Sequence, residues 1–318
     1  MDKNDISPAD LGKVKTYPLS ERKNKVKVSD FASPAVPGSS VQRLLEGLPK
    51  ILAGIDFCGL VSDIGAAYAR ARPVIAMMGG HVIKCGLSPV IISMMDQGIL
   101  TGIAMNGAAS IHDFEIALIG ETSEDVGTNI ITGKFGMWEE TGKFMNEAAK
   151  AGRSEGMGLA LGRKLAELGA PHQDVSILAA AFRLNVPATV HVAIGTDIIH
   201  QHPDADGAAI GEASFTDFRI FVSEVSKLGH GGVLLNFGSA VVMPEVFLKA
   251  LSIARNLGHE VVDFTTANFD MIQHYRPREN ILKRPTSVGG SGYAITGHHE
   301  IMIPLLAHAV MDQIRQEI

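Results

Sequence analysis

Short apolar runs that stop at glycine, each followed by a stretch of helical periodicity, recur along this 318-residue chain. Pro73-Val-Ile-Ala-Met-Met78 ends at Gly79-Gly80. Ile99–Met105 ends at Asn106-Gly107, Gly232-Val-Leu-Leu-Asn-Phe237 ends at Gly238-Ser239, and Ala188–Ile194 runs into Gly195-Thr-Asp197. A further strand is expected over Glu260–Thr266. A strand buried on both faces reads as a continuous apolar run, as parallel strands do. Helical spacing is expected over 41–52, 57–71, 81–97, 136–151, 154–168, 173–184, 216–228, 244–257 and 299–318. Strands alternating with helices of this length predict a parallel α/β sheet. Residues 1–38 carry Pro8, Pro18, Pro34 and Pro37 and read as an irregular arm. Residues 39–318 read as a single domain.

Composition narrows the class. Hydrophobic residues make up 46% and charged residues 19%, which excludes an intrinsically disordered chain. No apolar run of membrane-spanning length and no apolar signal core is apparent, so a soluble chain is expected. Cys58 and Cys85 make no disulfide framework and fit a reducing cytoplasm. A net charge of −6 argues against a nucleic-acid binder. The low charge suggests surface covered by other subunits. The 34 glycines suggest tight loops where backbone closely approaches something. The basic stretch Glu21–Lys27 is either a solvated segment or an arm that docks on a neighbouring subunit.

In open parallel sheets, ligands bind where strands end and loops lead into helices. Met78-Gly-Gly-His81, Asn106-Gly-Ala-Ala-Ser110, Gly195-Thr-Asp197 and Phe237-Gly-Ser-Ala240 are four such loops. Their small residues suit a phosphate or dinucleotide, or simply a tight turn. His81 and His112 lie at strand-to-helix loops, where an imidazole binds a ligand, moves a proton or packs. Asp113 and Glu115 read as caps of the following helix, and Asp197 as a ligand-binding carboxylate. His200-Gln-His202 and His298-His299 lack the spacing of a zinc helix, so no metal is expected. No GxSxG elbow is present. The segment 265–292 reads as a long functional loop. It carries Arg276, Arg278, Lys283 and Arg284, which suit a phosphate. Lys283 would also serve as an imine-forming nucleophile if buried.

Taken together, Gly79-Gly-His-Val-Ile-Lys-Cys-Gly86, Ile103-Ala-Met-Asn-Gly-Ala108, Val192-Ala-Ile-Gly-Thr-Asp197, Leu234–Val242, Thr266-Ala-Asn-Phe-Asp270 with Arg276-Pro277, and Ile303-Pro-Leu-Leu306 resemble the deoxyhypusine synthase family from about residue 40 to the C-terminus. The resemblance implies a mostly parallel Rossmann-like sheet with helices on both faces. It implies bound NAD and a homotetramer, a dimer of dimers with active sites between subunits. It further implies aminobutyl transfer from a polyamine through a lysine imine, to a protein lysine or a small amine. Residue by residue, the cofactor loops fall on Gly79, Gly80 and His81, on Asn106, Gly107 and Ala108, and on Gly238 and Ser239. The family's later aspartate falls on Asp197, and its substrate-loop aspartate on Asp270. Two family glutamates fall on Ile111 and His112, and Pro244 and Glu245 stand where the family has a histidine. The family's lysine position falls on Pro285, with Lys283 two residues away.

Three readings follow. The first is an NAD-dependent transferase acting on a polyamine or related amine. Lys283 and His112 would be catalytic, and Asp197, Asp270 and Arg276 would hold the substrate. The second is a different NAD- or metabolite-binding enzyme on the same scaffold. The third is a non-catalytic oligomeric binding protein.

Overall fold

The computed structural model describes residues 7–317. Its strands are β1 (Val74–Met78), β2 (Gly102–Asn106), β3 (Ala188–His191), β4 (Val233–Phe237), β5 (Thr265–Asp270) and β6 (Gly292–Thr296). All pairings are parallel, in the spatial order β3-β2-β1-β4-β5-β6. Every residue of β1 and β4 is buried, which explains the unbroken apolar sequence of β1 and the near-continuous one of β4, interrupted only by Asn236.

The helices are α1 (Val41–Glu46), α2 (Leu52–Ala69), α3 (Gly80–Lys84), α4 (Ser88–Asp96), α5 (Gly107–Ile119), α6 (Val126–Ile131), α7 (Glu139–Ala151), α8 (Met157–Leu168), α9 (Ile177–Leu184), α10 (Gly207–Val225), α11 (Val242–Asn256), α12 (Tyr275–Pro277) and α13 (His299–Glu317). A large core cluster joins α2, α4, α5, α8, α9 and α13 to one face of the sheet. A second packs α10, α11 and residues 281–282 against the other. The Rossmann-like sheet with helices on both faces is therefore present. Fully buried side chains such as Phe114, Phe237 and Phe269 each contribute on the order of 2–3 kcal/mol of burial.

Where the elements differ from the sequence reading, local chemistry accounts for it. The helix expected over 81–97 is divided into α3 and α4, because Gly86 adopts φ +72° and Pro89 starts the next helix. Asn106-Gly-Ala-Ala-Ser110 is not a loop. The Asn106 side chain accepts from Ala109 N–H at 2.9 Å and starts α5 directly from β2. The strand expected over 260–266 is shifted to 265–270, where pairing with β4 sets the register. The segment 265–292 is no single loop, since it contains β5, α12, a π-helical turn over Arg278–Lys283 and the start of β6.

Two buried aspartates hold elements together. Asp113 caps α9, not the helix after its own, accepting from Ser176 Oγ at 2.6 Å, Ile177 N–H at 2.7 Å and Leu178 N–H at 3.0 Å. Asp217 on α10 accepts from Gly158 N–H at 2.9 Å and Val190 N–H at 2.7 Å, tying α8 and β3 to α10.

Two regions leave apolar side chains uncovered. All described residues before Val41 are exposed except Asp30, which is half-buried, with Leu11 at 76%, Leu19 at 71% and Val28 at 81%. Helix α2 has a mean hydropathy of 1.3 over 18 residues, yet only 33% of it is buried. It therefore has the length and composition of a membrane span, contrary to the sequence reading. Here it packs as a core helix: Asp63 accepts from Thr265 Oγ1 at 2.8 Å and Tyr293 Oη at 3.2 Å.

Candidate functional site

A parallel sheet gathers all its strand ends on one edge, and most of the sequence-derived candidates meet there. Gly79, Gly80 and His81 follow β1, and Asn106 ends β2 ahead of Gly107 and Ala108. Gly238 and Ser239 follow β4, Asp270 ends β5, and Asp197 lies six residues beyond β3. Strand β1 pairs with both β2 and β4, so the chain reverses its winding direction between β1 and β4. This is the switch point at which open α/β sheets bind ligands.

The glycines do different jobs. At Gly79 an added Cβ would meet Gly238 O at 3.4 Å and Asn106 Nδ2 at 3.6 Å, so the β1 and β4 loops approach backbone to backbone. Such a backbone floor fits the close approach of a pyrophosphate. At Gly80 the added atom would lie 2.8 Å from His112 Cδ2, and at Gly107 it would overlap the Asp197 carboxylate. Gly238 has φ +68°, and its added Cβ would overlap the His299 ring. These three glycines make room for side chains of the chain itself.

Asp197 is 8% exposed, and its Oδ2 has no hydrogen-bond partner among the described residues. Burial pushes its carboxyl up to about 6. It lines a cavity of about 210 Å³ together with Lys84, Ala108, His112, Glu115, Glu124 and Trp138. A neighbouring cavity of about 560 Å³ shares Glu115, Glu124 and Trp138 and adds Glu121, Glu140 and Phe144. The shared wall makes one acidic, aromatic-sided cleft. Carboxylates and an aromatic face suit a cationic ligand. Burial, followed by the charge of Lys84, holds His112 down to about 4, so the imidazole is neutral at physiological pH.

The remaining candidates are placed as follows. His81 is exposed, its ring 5.5 Å from that of His299, which is hydrogen-bonded to Phe269 O at 3.0 Å. Asp270 accepts from Ile272 N–H at 3.3 Å. Arg276 pairs with Glu245 at 3.3 Å. Lys283 is not in the cleft. It is 59% exposed and pairs with Glu279 at 2.6 Å. The turn that carries it is held where Ile281 O accepts from Thr266, near the start of β5. Lys283 therefore lies toward the opposite edge of the sheet. His200 uses Nδ1 to accept from Gly195 N–H at 3.0 Å, shaping the loop that carries Asp197. Among the described residues, no cluster of His, Cys, Asp or Glu could hold a metal.

Sequence reasoning missed Lys84, Thr122, Glu124 and the only tryptophan, Trp138, as cleft residues. It also missed the amide ladder beneath the switch point. Asn236 Nδ2 donates to Asn268 Oδ1 at 2.7 Å and to Ser239 O at 3.0 Å, and Asn268 Nδ2 donates to Gln273 Oε1 at 2.7 Å. Two asparagines inside neighbouring apolar strands were the available signal, since buried amides require partners.

No known family profile matches the sequence, and no curated protein matches it. Solved structures do. The complex of AgrE with ornithine and NAD+ is 12% identical with TM-score 0.50, over 83% of this chain and 33% of that one. Unliganded AgrE is 12% identical with TM-score 0.51, over 89% and 34%. The chain thus spans about a third of AgrE. A structure from Entamoeba histolytica, described as a candidate deoxyhypusine synthase, is 11% identical with TM-score 0.50, over 94% of this chain and 97% of that one. The chain has the fold of that protein across nearly its whole length, as a distant structural relative.

Proposed function

We propose that this chain is an NAD-binding enzyme that acts on a small cationic amine. The carrying observation is the arrangement of one edge of the sheet. There the β1/β4 switch point, floored by backbone at Gly79, Gly238 and Ser239, lies beside a cleft lined by Asp197, whose Oδ2 has no hydrogen-bond partner among the described residues. Those three residues, with Asn106, would hold the dinucleotide. When bound, NAD supplies a hydride acceptor. Asp197 and the cleft glutamates would hold the ammonium, and Trp138 would cover its alkyl part. The likeness to the ornithine- and NAD-bound AgrE fold supports the cofactor but leaves the substrate open. A cytoplasmic location fits the free cysteines.

An imine-forming role asks for a lysine in the cleft, and Lys84 rather than Lys283 lines it. The position of Lys283 speaks against an imine on that residue and so favours the second reading, a different NAD- or metabolite-binding enzyme on the same scaffold, which we take to act on an amine because of the acidic cleft. We also propose that a second copy of the chain covers the arm and the exposed side of α2, which together leave Leu11, Leu19, Val28, Leu52 and Ile55 uncovered.

The test is thermal shift and calorimetry with NAD+ and NADH, followed by absorbance of NADH with putrescine, spermidine, agmatine, homospermidine and ornithine. NAD+ at a hundred times its Kd should stabilise the protein by about 2.7 kcal/mol. His81→Asp, which places a negative charge at the exposed rim of the β1 loop, should abolish that shift. Absence of any NAD shift in the unmodified protein overturns the reading.

A further inference from the structure

One half-buried group of the cleft is wired to its neighbours in a way that the amine reading does not require. His112 Nδ1 is 2.7 Å from Thr122 Oγ1, and the Thr122 hydroxyl in turn donates to Glu115 Oε2. Thr141 Oγ1 donates to the other Glu115 oxygen at 3.4 Å. Thr122 has a single hydroxyl proton, and Glu115 takes it. With Glu115 ionised, the Thr122 oxygen can then only accept from His112, which places the imidazole proton on Nδ1. His112 Nε2 is left with a lone pair and has no hydrogen-bond partner among the described residues, on a residue that lines the Asp197 cavity.

We propose that Glu115 and Thr122 are positioning residues that lock His112 in the tautomer protonated at Nδ1, making Nε2 an obligate hydrogen-bond acceptor for the ligand of the cleft. The ligand clause rests on the amine reading; the tautomer clause does not. The consequence is selectivity. A His112 carrying its proton on Nε2 would donate, and would welcome a carboxylate or phosphate. Locked on Nδ1, it accepts, and with Asp197 Oδ2 it offers two acceptors to the N–H groups of one ammonium. The neighbouring charges are consistent with a neutral ring. Lys84 disfavours a second positive charge on His112, and burial with Glu124 nearby acts on Glu115.

Long-range proton–nitrogen NMR on the full-length protein labelled with 15N-histidine reads the tautomer directly, His112 being assigned from the signals lost in His112→Gln. At pH 7.5 the expected pattern is a protonated Nδ1 and a bare Nε2. Thr122→Val, close in shape, should move His112 to a tautomer mixture or to protonated Nε2, and Thr122→Ser should restore the original pattern. Circular dichroism and melting of each variant show that it is folded. A bare Nδ1 in the unmodified protein, or an unchanged pattern in folded Thr122→Val, overturns the relay. Putrescine binding by calorimetry then tests the ligand clause, with Thr122→Val weakening it roughly three- to tenfold and Thr122→Ser near the unmodified value. An intact tautomer pattern with no putrescine binding overturns the ligand clause and the amine reading while leaving the relay standing.

Discussion

Asp197, the carboxylate we propose holds the ligand, works against stability. Its carboxyl ordinarily titrates near 3.8, and burial raises it to about 6 in the folded chain. A raised acid contributes stability below its unfolded pKa and loses it as pH climbs through the folded value. At pH 7.5 the folded protein therefore carries an ionised carboxylate that it would rather hold protonated. Asp197→Asn should be more stable than the unmodified protein by about 1–3 kcal/mol at pH 7.5, with the advantage shrinking toward pH 4. Urea unfolding at several pH values measures this, and the same variant should lose its thermal shift with putrescine. Asp113 is the contrasting case. Its carboxyl is completely buried and likewise raised to about 6 by burial, but both oxygens are engaged at the start of α9, so Asp113→Ala should cost about 3 kcal/mol in urea unfolding. Sequence proximity grouped Asp113 with Glu115, but two positions along a helix point apart. One serves the core and the other the cleft.

Elements, not single residues, decide which sequence candidates can cooperate. Strand β5 was expected too early along the chain because Thr265, Thr266 and Asn268 look like loop residues. Each is satisfied by a hydrogen bond to Asp63, Ile281 O or Gln273. Once β5 and β6 exist, the connection between them must return to the starting edge of the sheet, and Lys283 goes with it. Lys283→Ala should therefore leave cofactor and amine binding unchanged in calorimetry. It should also alter stability by less than about 0.5 kcal/mol, as expected for an exposed pair. Gly238→Ala should behave in the opposite way. It forces a side chain into the left-handed φ of +68° and against His299, and a loss of soluble, folded protein on expression is the expected result.

At the scale of the whole molecule, the uncovered arm and α2 are the surfaces that the proposed second copy would cover. Light scattering of the full chain should give an oligomer. Removal of residues 1–38, or Ile55→Lys on α2, should shift it toward monomer while circular dichroism remains unchanged; a full-length monomer at micromolar concentration would sink the proposal. Glycine-terminated apolar runs determined the parallel α/β class and put Gly79, Asn106, Gly107 and Gly238 at strand ends, because burial on both faces and the strand-to-helix turn are local demands. The low charge of the chain agreed with uncovered surface but could not locate it. Only the tertiary structure decided that Asp197, His112, Lys84 and Trp138 line one cavity, that three of the glycines accommodate the chain's own side chains, and that Lys283 stands apart. Those outcomes depend on strand order and crossover direction, which bring together residues more than a hundred positions apart and leave no periodic trace along the chain.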